Sequence, residues 1–260
     1  MKTSVVRYGG VHQALSGART MDVTGHRAEY EFEWKYLERS EWMWLEALHL
    51  RHIPGPFALL NPLRKNRLSA SASSLIPTSV TGVGLDLTRY TYSWDNSYPA
   101  DELAGPGVRA LRLDSWTSVG VGHMRFDGFR PTAVRVGEQI TASVWLKAPA
   151  DPSALLALDY TDRDGNQVTS PPWEAQAVTS AWARYSITKT VPAGVAGVRF
   201  AVLTGAAAPA MSMAAPQVEL GPAPTSWEPG GAAPRVLIDQ LASTSPIFPL
   251  TDCSLTLLEA

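Results

Sequence analysis

The chain has 260 residues, 45% of them hydrophobic and 18% charged, with a formal net charge of −2. That balance suits one large or two ordinary folded domains, and it excludes the strongly basic surface that draws a protein to nucleic acid or an anionic membrane. A single cysteine, Cys253, excludes an intrachain disulfide and any metal site built from several thiolates.

The opening MKTSVVRYGG has no apolar run of secretory-signal type, and no later run is as long as a membrane span. The expectation is a soluble protein made in the cytosol. Next, YEFEWKYL alternates: Tyr30, Phe32, Trp34 and Tyr36 on one face, Glu31, Glu33 and Lys35 on the other, the period of a half-buried strand. Ser40 is placed to N-cap a short helix with Glu41 in its first turn, and Trp44, Leu45 and Leu48 form its apolar stripe. IPGP stops it, FALLNP reads as a strand, and NRLSASASS reads as a polar linker.

From Ile76 to Gly231 the pattern is strand after strand. VRALRLDSW, HMRFDGF, QITASVWLKA, ALLALDYTD, ARYSITKTV and GVRFAVLT are separated by Gly, Pro and Asp turns, and DRDGNQ carries a hairpin-type Asp-Gly pair. Strands at this spacing predict a sandwich or jelly roll. The last segment, from Arg235 on, alternates again through Val236, Ile238, Leu241, Leu255 and Leu257, yet is too short for a core of its own. The fold class expected is therefore mainly β: a split, β-barrel-like first domain with one short helix, over 1–75 and 232–260, and a β-sandwich inserted over 76–231. The alternative is a closing segment that serves as an arm on the sandwich or on another subunit.

Catalytic patterns are missing. The five histidines lie in no HExxH or nucleophile-elbow context. His49 and His52, three apart, read as residues at a helix C-terminus, not as metal ligands. Asp159, Asp162, Asp164 and Asn166 offer oxygen donors for calcium, against the alternative that they simply suit a hairpin turn. Asp114, Asp127 and Asp159 read as residues of solvated strand faces, so a glycosidic carboxylate pair is not expected and the protein is read as no enzyme.

Alternation also locates a possible ligand face. Ile140, Ala142, Val144 and Leu146 form the core set of one strand, leaving Thr141, Ser143, Trp145 and Lys147 outward. Leu111 and Leu113 turn Arg112, Asp114 and Trp116 outward, and Leu156, Leu158 and Tyr160 do the same for Asp159. Trp145, Trp116, Arg112 and Asp159, with Trp173, are the candidate carbohydrate-binding residues: flat rings to stack on and polar groups for hydroxyls. A face docked on a neighbouring subunit or domain, or a loop over Trp145, is the competing reading.

Two resemblances bear on this reading. GVRALRL, VRVGEQITASVWLKA, LDYTDRDGNQV, TSAWARYSITKTVPAGVAGVRFAV and APQVELGPAPTSWEPGG, with its Q-x-E-x-G and T-x-W-x-P ending, resemble jelly rolls of the carbohydrate-binding-module type. The flanks, YGGVHQALSGARTMDVTGHRAEYEFEWKYL, GPFALLNP and the terminal SLTLLEA, resemble distal-tail-type tail-tip proteins of long-tailed phages. The resemblances imply an oligomeric virion protein, ringed around a tail with other tail proteins as partners and assembled in the host cytoplasm. They also imply a projecting jelly roll able to bind host glycan, no cofactor, and room for a structural calcium. The alternative is a stand-alone carbohydrate-binding protein.

Overall fold

Alternating apolar and polar residues between frequent turns favour antiparallel pairing, and the chain is mainly β, with 54% strand and 8% helix. The structure, a computed structural model, describes residues 1–13, 16–17, 19–21, 25–76, 90–95, 97, 108–116, 122–128, 130–149, 153–168, 172–204 and 210–260. In chain order the elements begin with β1 (Lys2–Tyr8), β2 (Val11–Gln13), β3 (Arg19–Met21), β4 (Gly25–Leu37), α1 (Arg39–His49), β5 (Phe57–Ala58) and α2 (Ala70–Ser73). There follow β6 (Tyr90–Asp95), β7 (Ala110–Trp116), β8 (Gly122–Arg125), β9 (Thr132–Ala133), β10 (Gln139–Lys147) and β11 (Ser153–Thr161). The last are β12 (Trp173–Ala177), β13 (Ala183–Thr190), β14 (Gly197–Thr204), β15 (Met211–Leu220), β16 (Arg235–Ile247) and β17 (Leu250–Glu259). The chain divides into two units, residues 1–59 with 234–260, and residues 60–233.

In the first unit the closing strands join the opening ones in one antiparallel sheet, ordered β1-β4-β17-β16-β5. Tyr30, Val236, Leu255 and Leu257 are its buried centre, with Phe32, Trp34, Phe57, Ile238 and Leu45 of α1 packed against them. The alternation of β4 holds through Trp34 and then breaks. Opposite Asp252 the register with β17 shifts, Tyr36 takes a positive φ of 58°, and its ring is exposed. The helix also differs from expectation. Its N-cap is Glu38, whose N–H donates to the Glu41 carboxylate at 3.2 Å, rather than Ser40. Leu45 faces the sheet while Trp44 stands 63% exposed.

The second unit is an antiparallel sandwich. One sheet runs β13-β10-β15-β7-β6 and the other β12-β11-β14-β8, with β9 on β14. Ile140, Val144, Leu146, Leu111, Met213 and Val218 from the first meet Leu156, Leu158, Met124, Phe200 and Val202 from the second in one core. Residues 60–75, expected to end the first part of the first domain with a polar linker over 66–74, belong here instead. Leu68, Ala72 and Leu75 are fully buried in the sandwich core. The polar residues beside them turn inward because they find partners. Asn66 donates to the carbonyls of Pro216 and Glu228 and accepts from the Val218 N–H, and Ser69 donates twice to Asp127.

One irregularity in β15 decides which of its side chains face out. Ser143 lies opposite Gln217 while Trp145 lies opposite Ala214, so β15 carries one residue more than β10 over this interval. Ala215, with φ of 49°, absorbs it. Without this bulge Val218 would swing to the surface and Gln217 and Glu219 into the core.

Candidate functional site

Strand β10 sends Ile140, Ala142, Val144 and Leu146 into the core and Trp145 and Lys147 to the outer face of the first sheet. That face is not bare. Trp145 is half-buried and packs, with Trp182 and Trp227, on a second apolar cluster formed by Val108, Ala110, Ala214 and Ala215. Trp145 thus faces outward as expected but is no bare platform: the indole is part of a small outer core. Trp145→Ala should destabilise the sandwich by about 2–3 kcal/mol, below the ~3–5 of a fully buried aromatic because one edge stays wet. A thermal melt unchanged by the substitution would contradict this.

The Q-x-E-x-G and T-x-W-x-P segments build the cover. Glu219, 1% exposed, accepts from Gln217 Nε2 at 2.7 Å, Thr225 N at 2.9 Å and Thr225 Oγ1 at 2.6 Å. Gln217 Oε1 accepts from Glu228 N at 3.0 Å, and Trp227 Nε1 donates to the Pro216 backbone carbonyl at 3.3 Å. Residues 222–228 are thus clasped over the sheet. Their motif therefore has a role in folding.

Beyond the clasp the same face opens into a recess of about 230 Å³, lined by Asp95, Arg112, Lys147, Ser180, Ser212, Ala210, Ala148 and Pro149. Register brings these groups together: Ser93 lies opposite Arg112, Arg112 opposite Ser212, and Ser212 opposite Lys147. Lys147 Nζ sits 3.0 Å from Asp95 Oδ2 and 4.8 Å from the centre of the Trp182 ring. Trp182 Nε1 and Lys147 both donate to Ser97 Oγ. Burial pushes the Asp95 carboxyl up, but hydrogen bonds from Ser212 and Ser97 outweigh it and hold the carboxyl well below the usual carboxylate range. A depressed native pKa adds stability above the unfolded value, about 3.9, and loses it as pH falls through the native one. Asp95→Asn should accordingly melt lower than wild type at pH 7. The gap should hold down to about pH 4 and narrow below it, as melts across that range would show.

The candidate residues read from sequence fall on two faces rather than one. Arg112 lines the cavity, and Trp145 lies on the same sheet face in the outer apolar cluster. The Trp116 side chain lies outside the described residues. Asp159 and Trp173 belong to the second sheet and face outward from it, so the grouping of Asp159 with Arg112 is corrected. Parity within one strand cannot say which sheet that strand joins. Asp95, Ser212 and Trp182 were not among the candidates. The alternation of β6, with Thr91, Ser93 and Asp95 opposed to Tyr92 and Trp94, is a signal that could have pointed to Asp95.

The carboxylates do not gather. Asp114 pairs with Arg112 at 3.0 Å on the first sheet, and Asp159 pairs with Arg125 at 2.8 Å on the second. Asp127 is 3% exposed and tethers Ser69, so it is not on a solvated face as expected. Asp162 accepts from the Asn166 and Asp164 backbones and the Asn166 amide within its turn. Among the described residues no three His, Cys, Asp or Glu side chains are placed to hold a metal ion. His49, at the end of α1, is half-buried.

No protein-family model matches the sequence, and no curated protein matches it. Among solved structures the chain is similar to the enzymatically active domain of tailspike protein 4 from bacteriophage CBA120. The identity is 15% and the TM-score 0.47, over 60% of this chain but only 21% of that one. It is also similar to the CBM22-1 xylan-binding domain from Paenibacillus barcinonensis, at 15% identity and a TM-score of 0.35, over 65% of this chain and 99% of that one. A third is the C-terminal family 22 carbohydrate-binding module of a Clostridium thermocellum xylanase, at 13% identity and a TM-score of 0.37, over 55% and 87%.

Proposed function

We propose that this chain is an oligomeric structural component of a phage tail, whose sandwich binds a host-surface glycan in the Asp95–Arg112–Lys147 cavity. The observation that carries the binding half is the cavity itself. Carboxylate, guanidinium, ammonium and hydroxyl groups converge on one recess beside Trp182. Sugars are held by that combination of polar partners and an aromatic plane. Ligand pockets for drug-sized molecules run to about 300–1,000 Å³, so this smaller one suits a single sugar ring or a chain end.

The tail reading rests on the resemblance of the flanking segments. It is supported by the apolar side chains the first unit leaves exposed: Val5, Val6 and Tyr8 on β1, Met43 and Trp44 on α1, and Ile247 and Phe248 at the β16–β17 tip. Surfaces of this kind serve assembly. The reading places the protein in the virion, as a non-enzymatic part of the tail.

Two measurements test it. A glycan array probed with the full chain should show binding that Arg112→Ala weakens at least tenfold while the melting temperature stays within a few degrees. Sedimentation should show a multimer that Trp44→Glu with Phe248→Glu dissociates. A monomeric wild type with intact glycan binding would replace the tail reading with that of a stand-alone binding protein. Absence of any glycan hit would remove the binding half.

A further inference from the structure

The outer face of the second sheet carries a charge arrangement that the cavity does not account for. Arg125, on β8, reaches across β14 to place Nε 2.8 Å from Asp159 Oδ2 on β11. The strand it crosses presents Ala201 there, next to Ala157 in register, and both small side chains are fully buried. Arg199 stands directly opposite Asp159. It donates one bond, from its terminal nitrogen to the Gly165 carbonyl at 2.9 Å, and its Nε is buried without an acceptor. The buried hydroxyl of Thr161, one alternation further along the same face, likewise has no partner.

Two guanidinium groups around one carboxylate leave an excess positive charge. Burial lowers the pKa of Arg199, and the neighbouring charge of Arg125 lowers it further, against the Asp159 carboxylate, which raises it. Such a site is complementary to an anion, which would relieve the repulsion between the two cations. Arg125 is its accessible part, with 37% of its side chain exposed, and Arg199 adds its field from beneath. The same face carries an aromatic plane. Trp173 lies opposite Ala157, in the row Trp173–Ala157–Ala201–Arg125, and is 49% exposed. Three strand spacings separate the ends of that row, about 14 Å, the reach of two or three linked sugar rings.

We propose that this face is a second binding face, for a carboxylated sugar, with its carboxylate at Arg125 and Arg199 and a neighbouring ring on Trp173. The proposal rests on the sandwich being a glycan binder, but on residues separate from those of the cavity.

Titration calorimetry of the full chain with tri-galacturonate, β-1,4-galactotriose and sodium acetate tests it. The acidic trisaccharide should bind at least tenfold more tightly than the neutral one, and more weakly as salt rises. Arg125→Gln and Trp173→Ala should each cost that binding at least tenfold, while Arg112→Ala leaves it unchanged. Trp173→Ala keeps the test valid should Arg125→Gln lower the melting temperature. Equal binding of the two trisaccharides, or indifference to both substitutions, would overturn the proposal while leaving the cavity reading intact. Acetate bound as tightly as the trisaccharide would reduce the face to an anion pocket and overturn the sugar assignment. Loss of all glycan binding in Arg112→Ala would likewise overturn it in favour of the cavity alone.

Discussion

A chain cut to residues 60–233 should melt cooperatively, and one cut to residues 76–233 should not fold. Leu68, Ala72 and Leu75 are each fully buried in the sandwich core, although their segment reads as a polar linker. Removing a buried leucine side chain costs about 2–5 kcal/mol, so two of them approach the whole stability of a domain, about 5–15 kcal/mol. The polar partners of the segment would be stranded as well. Arg67 forms a bidentate pair with Glu138, at 2.7 and 3.2 Å, and Asn66 satisfies the backbone of β15. Circular dichroism of the two fragments checks the expectation, with Leu68→Ala in the full chain as the smaller version. If both fragments melt at the same temperature, residues 60–75 are decoration.

Glu219→Ala should lower the sandwich's stability by about 3–5 kcal/mol, on the scale of breaking a buried charged group's partnerships. Its carboxylate receives three hydrogen bonds and anchors Thr225 and Gln217 together. Without it the 222–228 clasp loses its fixed end, and Trp227 and Trp145 lose the packing between them and the outer alanines. At about 2–4 °C per kcal/mol for a unit of this size, the melting temperature should drop by roughly 6–20 °C. Glu219→Gln keeps the shape and part of the bonding, and should fall between. A drop of only a degree or two would mean the clasp is held by apolar contact alone.

Much of the sandwich was legible because its strands alternate. The stretches around Leu111, Ile140, Leu156, Ile187 and Phe200 are strands, with these residues in the core. Strand β15 was harder to read. Pro216 and a run of small residues interrupt its alternation, and the pattern becomes regular only once the bulge at Ala215 is counted. Trp44 and Tyr36 misled for a related reason. Both sit in apolar-looking stripes, yet a bulge turns one outward and the helix's position on the sheet turns out the other.

Period and composition alone determined the mainly β class, the in-or-out sense of side chains along each regular strand, and the kinship of the terminal segment's alternation with that of a buried sheet. Those are local properties, set by backbone pleat and by the cost of exposing apolar surface. Only the tertiary structure decided that residues 60–75 pack in the sandwich, that Trp145 packs on the outer alanine cluster, and that Arg112 and Asp159 belong to different faces. Each of these depends on which distant strand supplies a hydrogen-bond or packing partner, and a pattern of period two is the same whichever sheet the strand joins.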